Sequence, residues 1–284
     1  MTDLAARTDA GLVRERNEDR WLTRRYGDTT LIAVADGVGG EDGGDVASTA
    51  AIGALEKSFS PPSFRESARS SLASAVQRAN EAVLKAATDK RFPRAATTIV
   101  AAAIRGQEAA VANLGDSRAY LIRGDTIRQI TSDHSGDRPS SITRFLGDAR
   151  GVQPDIFVET LQPADRVVLC SDGLTRHVTD AEIAAAMADA PAQAADALVA
   201  LANVRGGEDN ITVIVYAPRR PAVSRALAGT LILVLLLVIA VAGALGALLA
   251  TPFPTTPPTG SPSPTPASSA GASGSVAPSA SPSP

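Results

Sequence analysis

Residues Thr97–Ile130 read TTIVAAAIRGQEAAVANLGDSRAYLIRGDTIRQI, and this stretch decides the fold. Three β-type runs, Thr97–Arg105, Ala109–Leu114 and Arg118–Arg123, follow one another with only short glycine-containing links between them. Links so short leave no room for a crossover helix, so neighbouring runs are expected to pair as an antiparallel meander. Outward from it, Thr30–Ala35, Arg166–Cys170 and Ile211–Tyr216 are further strand candidates. Helices are expected around them. Ser63 and Glu66 suit a capping box opening a helix to about Thr88, with Leu72, Val76, Ala79 and Val83 on one face. Thr179 and Glu182 repeat the device for a helix through Met187, and Pro191 can open another through about Asn203. Strands grouped in mid-chain with helices outside them predict an α+β layered domain over residues 1–218.

The C-terminal quarter is different. Ala226–Ala250, ALAGTLILVLLLVIAVAGALGALLA, carries no charge, and a bilayer core of about 30 Å needs about 20 helical residues. One transmembrane helix is therefore expected over 226–250. Arg219, Arg220 and Arg225 make 219–225 a basic juxtamembrane linker, and no Lys or Arg follows the span. The positive-inside rule then makes the protein single-pass in the cell membrane, with residues 1–218 cytoplasmic and 251–284 extracytoplasmic. Residues 251–284 are Pro, Ser, Thr, Ala and Gly with one aromatic, Phe253, a composition expected to stay disordered.

Composition narrows the function. The 27 Lys and Arg against 30 Asp and Glu give a net charge of -3, which argues against nucleic acid as partner. The single cysteine, Cys170, excludes an intrachain disulfide. What stands out is the placement of aspartates: Asp36 follows TLIAVA, Asp116 follows AAVANLG, Asp172 follows VVLCS, and Asp209 precedes Asn210 and the strand ITVIV. One Asp-Gly is ordinarily a turn. Four carboxylates at four strand ends repel one another unless a cation neutralises them. With only two histidines, the donor set favours hard cations such as Mg²⁺ or Mn²⁺ over zinc. Two such ions about 3.5–4 Å apart can generate hydroxide and clamp a phosphoryl group, so phosphate-ester hydrolysis is the expected chemistry.

The motifs GLVRERNED (Gly11–Asp19), VADGVGG (Val34–Gly40), GDSRAYL (Gly115–Leu121), TSDHS (Thr131–Ser135), ITRFLGD (Ile142–Asp148), VVLCSDGL (Val167–Leu174) and GGEDNITVIV (Gly206–Val215) together resemble the bacterial PP2C, or PPM, family of metal-dependent protein serine/threonine phosphatases. The resemblance implies a β-sandwich of two antiparallel sheets with helices on both outer faces. It implies that Asp36 bridges two catalytic Mn²⁺ or Mg²⁺ ions with the Gly37 carbonyl on one of them, that Asp172 and Asp209 complete the set, and that Asp116 with Asp172 marks a third ion site. It assigns Arg14 to the substrate phosphate and Glu18 and Asp19 to metal-bound waters, with Asn210 and Thr131 in support. A metal-bridged hydroxide would hydrolyse phosphoserine and phosphothreonine in proteins, with membrane serine/threonine kinases and their substrates as partners. Departures from the family pattern are Val38 after Asp36-Gly37, Glu41 in place of a histidine, Ala96 in place of a glycine, and only Gly136–Ser141 where relatives insert a flap.

Other chemistries fit less well. Cys170–Arg176 has the C-x5-R spacing of cysteine phosphatases, but Asp172 inside that loop would oppose a phosphate, and Val168 and Leu169 place the cysteine on a buried strand. Gly37–Gly44 follows a strand and precedes a helix, yet the dinucleotide-binding glycine register fails at Asp42. A catalytically degenerate phosphatase-like domain that binds phosphoproteins or senses through its tail would lack metal ligands, whereas every matched aspartate and Arg14 are present.

Overall fold

The structure, a computed structural model, describes residues 4–38, 43–61, 67–88, 94–136, 141–218, 237–242 and 245–246. The chain divides into two units, Met1–Ala222 and Val223–Pro284. In chain order the first unit forms β1 (Leu4–Asp9), β2 (Arg20–Tyr26), β3 (Thr29–Ala35), β4 (Gly37–Val38), α1 (Gly43–Ser58), α2 (Ala68–Ala87), β5 (Ala96–Thr97), β6 (Ile99–Arg105), β7 (Glu108–Leu114), β8 (Arg118–Arg123) and β9 (Thr126–Gln129). It continues with β10 (Asp155–Thr160), β11 (Arg166–Cys170), α3 (Asp172–Thr175), α4 (Asp180–Ala186), α5 (Pro191–Val204) and β12 (Ile211–Tyr216).

Two five-stranded sheets result, ordered β1-β12-β11-β8-β9 and β10-β7-β6-β3-β2, with a two-stranded ribbon of β4 and β5. Each of their pairings is antiparallel. The expected meander forms and does more than predicted: β6 and β7 belong to one sheet, β8 and β9 to the other, so the Gly115–Ser117 link carries the chain between layers. The predicted run from Thr97 breaks at Thr98, because Thr97 pairs with Gly37 in the ribbon while Ile99 pairs with Leu114 in the sheet.

Side-chain alternation explains the four layers. On β3, Ile32 and Val34 enter the core between the sheets, while Leu31, Ala33 and Ala35 face α1 and α2. On β11, Val167 and Leu169 enter the inter-sheet core, whereas Val168 and Cys170 face α3, α4 and α5. Both faces are covered, so these strands read as continuous apolar runs instead of alternating ones. The helix-facing side of the β3 sheet is lined by Ala33, Ala101, Ala103, Ala110 and Ala112, and small residues let α1 and α2 sit close to it.

Local signals set the helix ends. Thr179 and Glu182 form the predicted capping box of α4, and Pro191 opens α5. The start of α2 is a correction: Ser67 is its N-cap and accepts from the Ser70 N–H, while Ser63 and Glu66 lie outside the described residues. Leu72, Val76, Ala79 and Val83 do share its buried face.

In the second unit, residues 237–242 and 245–246 are helical. The rest of the expected span 226–250, the linker from Arg219 and the tail 251–284 lie outside the described residues. Among those described, no helix is long and apolar enough to cross a membrane.

Ile104, 1% exposed, sits in the inter-sheet core at the far end of β6 from the acidic turns. Ile104→Ala should cost about 2–5 kcal/mol of unfolding free energy by the lost burial and the cavity left behind. Val158→Ala on the outer strand β10, where the side chain is 51% exposed, should cost under about 0.5 kcal/mol. Urea unfolding of the two variants checks the contrast.

Candidate active site

The strand register brings the acidic turns to one end of the sandwich. Leu114 at the end of β7 pairs with Ile99 at the start of β6, whose next residue pairs with Val34 near the end of β3. In the other sheet, Cys170 at the end of β11 pairs with Arg118 at the start of β8 and with Val213 near the start of β12. Asp36, Asp116, Asp172 and Asp209 therefore leave the two sheets together.

Hydrogen bonds hold each turn. The Asp36 N–H donates to Thr98 Oγ1 at 3.1 Å, and the Asp36 carbonyl accepts from the Thr98 N–H and from Thr97 Oγ1, both at 2.8 Å. Thr98 Oγ1 also meets Ser117 Oγ at 2.8 Å, which ties the Asp36 turn to the Asp116 turn. Between them Gly115 has φ +120°, and a Cβ there would lie 2.6 Å from the Thr98 side chain, so no larger residue fits. Gly173 plays a similar part for Asp172, since a Cβ on it would collide with the Asn210 carbonyl. Its absence lets α3 lie against the start of β12 and brings Asp172 beside Asp209.

Asn210 anchors the N-terminal loop. Its Oδ1 accepts from the Glu18 N–H at 2.7 Å, and its Nδ2 donates to the carbonyls of Ala10 and Arg16, each at 2.9 Å. Ser48 Oγ on α1 donates to the Glu18 carbonyl at 2.6 Å. Beneath the loop, Asp19 is 2% exposed, and its Oδ2 accepts from Ser171 Oγ at 2.7 Å. Thr131, also buried, accepts from the Ala119 N–H at 3.1 Å and ties the chain leaving β9 to the start of β8, two residues beyond the Asp116 turn, without lining the cleft.

Seven of the eight sequence candidates, Arg14, Glu18, Asp36, Gly37, Asp116, Asp172 and Asp209, line one cleft of about 210 Å³ together with Val38, Ile142, Arg176 and Asn210. Asp19 lies behind it. Burial and the surrounding Asp19, Asp172, Asp209 and Asp116 push the Asp36 carboxyl well above its ordinary range. Burial, then Asp172, raises Asp116 to about 6, and burial raises Asp19 to about 7. Glu18 is raised too, chiefly by burial. Cys170 is fully buried, and that burial pushes its thiol up to about 12, so no thiolate nucleophile stands here.

Two guanidiniums balance the cluster. Arg14 Nη2 donates to Asp209 Oδ2 at 2.8 Å. Arg176, which the sequence reading met only as the arginine of the C-x5-R spacing, donates through Nε to Asp172 Oδ2 at 3.0 Å and through Nη2 to the same oxygen. Its Nη1 lies 3.5 Å from Asp209 Oδ2. The one sequence signal for this pairing is the four-residue spacing from Asp172, which suits a helical ion pair. Among the described residues, no three Asp, Glu, His or Cys side chains are already closed into a metal cage. The donors nevertheless fit a hard divalent cation: they are oxygens only, and Asp19 Oδ1 and Asp116 Oδ1 are buried without a hydrogen-bond partner. Of the family departures, Val38 lines the cleft, Glu41 lies outside the described residues, and Ser135 and Ile142 bridge antiparallel to close the short link between them.

The fold and this cleft define a phosphatase domain, and comparison with known proteins agrees. The family model for protein phosphatase 2C matches residues 13–203, and the chain belongs to that family: it is a metal-dependent serine/threonine protein phosphatase of PP2C type, a class that uses Mn²⁺ or Mg²⁺. A serine/threonine phosphatase of Listeria innocua is 36% identical over 233 residues, covering 73% of this chain and 92% of that protein. The crystal structure of the Mycobacterium tuberculosis serine/threonine phosphatase PstP/Ppp superposes with a TM-score of 0.70 at 32% identity, over 76% of this chain and 98% of that one. The catalytic domain of PstP in complex with two manganese ions gives a TM-score of 0.67 at 33% identity, over 75% and 96% of the two chains.

The raised carboxyls carry a pH consequence. For Asp19 and Asp116 the folded value lies above the ordinary 3.8, so the folded state holds more protons than the unfolded one between about pH 4 and pH 7. Stability of the metal-free chain should then fall as pH rises through that window. Thermal unfolding in chelator should give a higher midpoint at pH 5 than at pH 7.5, and a midpoint that rises over the same interval would contradict the cluster's electrostatics.

Proposed function

We propose that this protein is a membrane-anchored phosphatase whose cytoplasmic domain removes phosphate from phosphoserine and phosphothreonine, opposing membrane serine/threonine kinases. One observation carries the hydrolytic part: carboxylates from four separate strand ends converge with Arg14 on a single cleft. Asp36, the Gly37 carbonyl, Asp172 and Asp209 would hold two divalent cations, and Asp116 with Asp172 a third. Such cations neutralise phosphate charge and lower the pKa of water, which makes hydroxide available at neutral pH.

The chain's own residues do the rest. Arg14 stands at the cleft rim with its side chain 51% exposed, and its planar fork suits two oxygens of a phosphoryl group entering from solvent. Asn210 and Ser48 fix the Glu18 backbone, which keeps its carboxylate on the cleft wall, where it would orient water. Asp19, held by Ser171, does the same from behind. Among the described residues no imidazole lines the cleft, so the departing serine or threonine oxygen takes its proton from water. Water adds to phosphorus, the P–O bond to the side chain breaks, and alcohol and inorganic phosphate leave.

The membrane anchor rests on the uncharged run 226–250 and the three arginines before it. The described helical residues Leu237, Val238, Ile239, Val241 and Leu245 are each 58–65% exposed, and apolar side chains on all sides of a helix suit a lipid surrounding. Membrane serine/threonine kinases and their substrates as partners are an expectation from the family, and an anchor would hold the domain beside them.

On a phosphothreonine peptide with Mn²⁺, Asp36→Asn should lose nearly all turnover, and chelator should stop the unsubstituted enzyme. Arg14→Ala should lose roughly tenfold to a hundredfold in kcat/KM, from the loss of a charge-assisted contact of about 1.5–3 kcal/mol, while calorimetric Mn²⁺ affinity does not fall and rises modestly, since Arg14 also donates to Asp209 Oδ2. Full activity after demonstrated metal removal would overturn the mechanism. For topology, a reporter fused after Val215 should signal the cytoplasm and one within 251–284 the outer side. Recovery of the intact chain in the soluble fraction without detergent would refute the anchor.

A further inference from the structure

Arg176 caps the C-terminal end of α3 and faces the carboxylates that the proposed chemistry needs. It engages two of them at once, Asp172 through Nε and Nη2 and Asp209 through Nη1, and each contact falls on Oδ2. Arg14 differs: among the described carboxylates it is bonded to Asp209 alone, from a more exposed position. A guanidinium is permanently charged and only donates, so at Asp172 and Asp209 it competes with a cation for the same acceptor atoms.

The surroundings leave Arg176 somewhere to go. A second cleft of about 380 Å³ shares Asp116, Asp172 and Arg176 with the first and extends past Thr175 toward Arg118 and Asp133. Arg176 thus stands on the wall between two open spaces. In the second one, Arg118 already holds Asp133 through bonds of 2.7–3.1 Å, so that carboxylate is neutralised without Arg176.

We infer that Arg176 is a displaceable internal counter-ion of the carboxylate cluster. It holds Asp172 and Asp209 together in the metal-free chain and gives up both when a divalent cation binds. The inference rests on the metal-dependent reading above. Two effects follow from it. Arg176 limits the repulsion among Asp36, Asp172 and Asp209 before metal arrives, and it weakens metal affinity, because binding must first break its ion pairs.

Calorimetric titration of the full-length chain with Mn²⁺, beside thermal unfolding with and without the ion, tests this. Arg176→Gln should bind Mn²⁺ about three- to tenfold more tightly than the unsubstituted chain, since only part of a charge-assisted contact at a one-third exposed side chain is recovered. Its metal-free midpoint should be lower, and the gap should narrow at saturating Mn²⁺. Arg176→Lys, keeping the charge and losing the fork, should fall between. The Arg176 Nε–H resonance, assigned by its loss in the lysine variant, should shift toward that of a solvent-exposed arginine on saturation with diamagnetic Mg²⁺.

An unaltered or weaker Mn²⁺ affinity in the folded glutamine variant would overturn the inference, as would an Nε–H resonance that Mg²⁺ does not move; this second readout decides the matter if the glutamine variant fails to fold. Failure of the unsubstituted chain to bind either ion would instead defeat the metal-dependent reading itself.

Discussion

Mutual repulsion of carboxylates is the constraint around which the domain is organised. Asp36 is surrounded by Asp19, Asp116, Asp172 and Asp209, and its carboxyl is pushed well above its ordinary range. Like charges brought this close separate unless the backbone that carries them cannot yield. Here it cannot: Asp36, Asp116, Asp172 and Asp209 each sit within one or two residues of a strand that is hydrogen-bonded on both sides and buried on both faces. The bonds from Thr97 and Thr98 to Asp36 and from Asn210 to the Glu18 loop brace the turns themselves. Moving one carboxylate outward would mean breaking a ladder or opening the inter-sheet core.

This division of labour accounts for what the sequence revealed. Strands covered on both faces have apolar side chains at consecutive positions, so Thr29–Ala35, Arg118–Arg123, Arg166–Cys170 and Ile211–Tyr216 were legible within a residue. The outer strands β1, β2 and β10 were not. On β2 only Leu22 is buried, and Trp21, Arg24 and Arg25 are exposed, so the segment reads as surface. Charge on an outer strand discourages pairing with another molecule, and it also hides the strand from a search for apolar runs. The span of α1 was hard to bound for a different reason: Ala47, Ala51 and Leu55 are its buried apolar residues in a segment of small side chains, which gives little contrast between faces.

The site was legible where chemistry coincides with a strand end and obscure where it depends on partners brought together by folding. The four acidic turns follow or precede apolar runs, and that recurrence pointed to a cation. Arg176 lies in the polar stretch after VVLC, and its approach to Asp209 exists only because Gly173 lets α3 lie on the start of β12. Ser171, Thr98 and Ser48 act on backbone or second-rank groups through single hydroxyls, which no motif announces.

Strand register joins the core to the chemistry. On β11 the pleat sends Leu169 into the inter-sheet core and Cys170 against the outer helices, and only after Ser171 does the chain reach the cleft with Asp172. A slip of one residue would exchange the two faces and draw a charged side chain toward apolar surroundings, so burial on both sides enforces the alignment. The same alternation on β3 ends with Ala35 toward the helices and Asp36 at the cleft. Cys170 therefore cannot be both the packed residue of this register and a reactive thiolate, and the spacing it shares with Arg176 is a consequence of how α3 follows β11. The arginine has its role from the carboxylates beside it, and the cysteine has its role from the core.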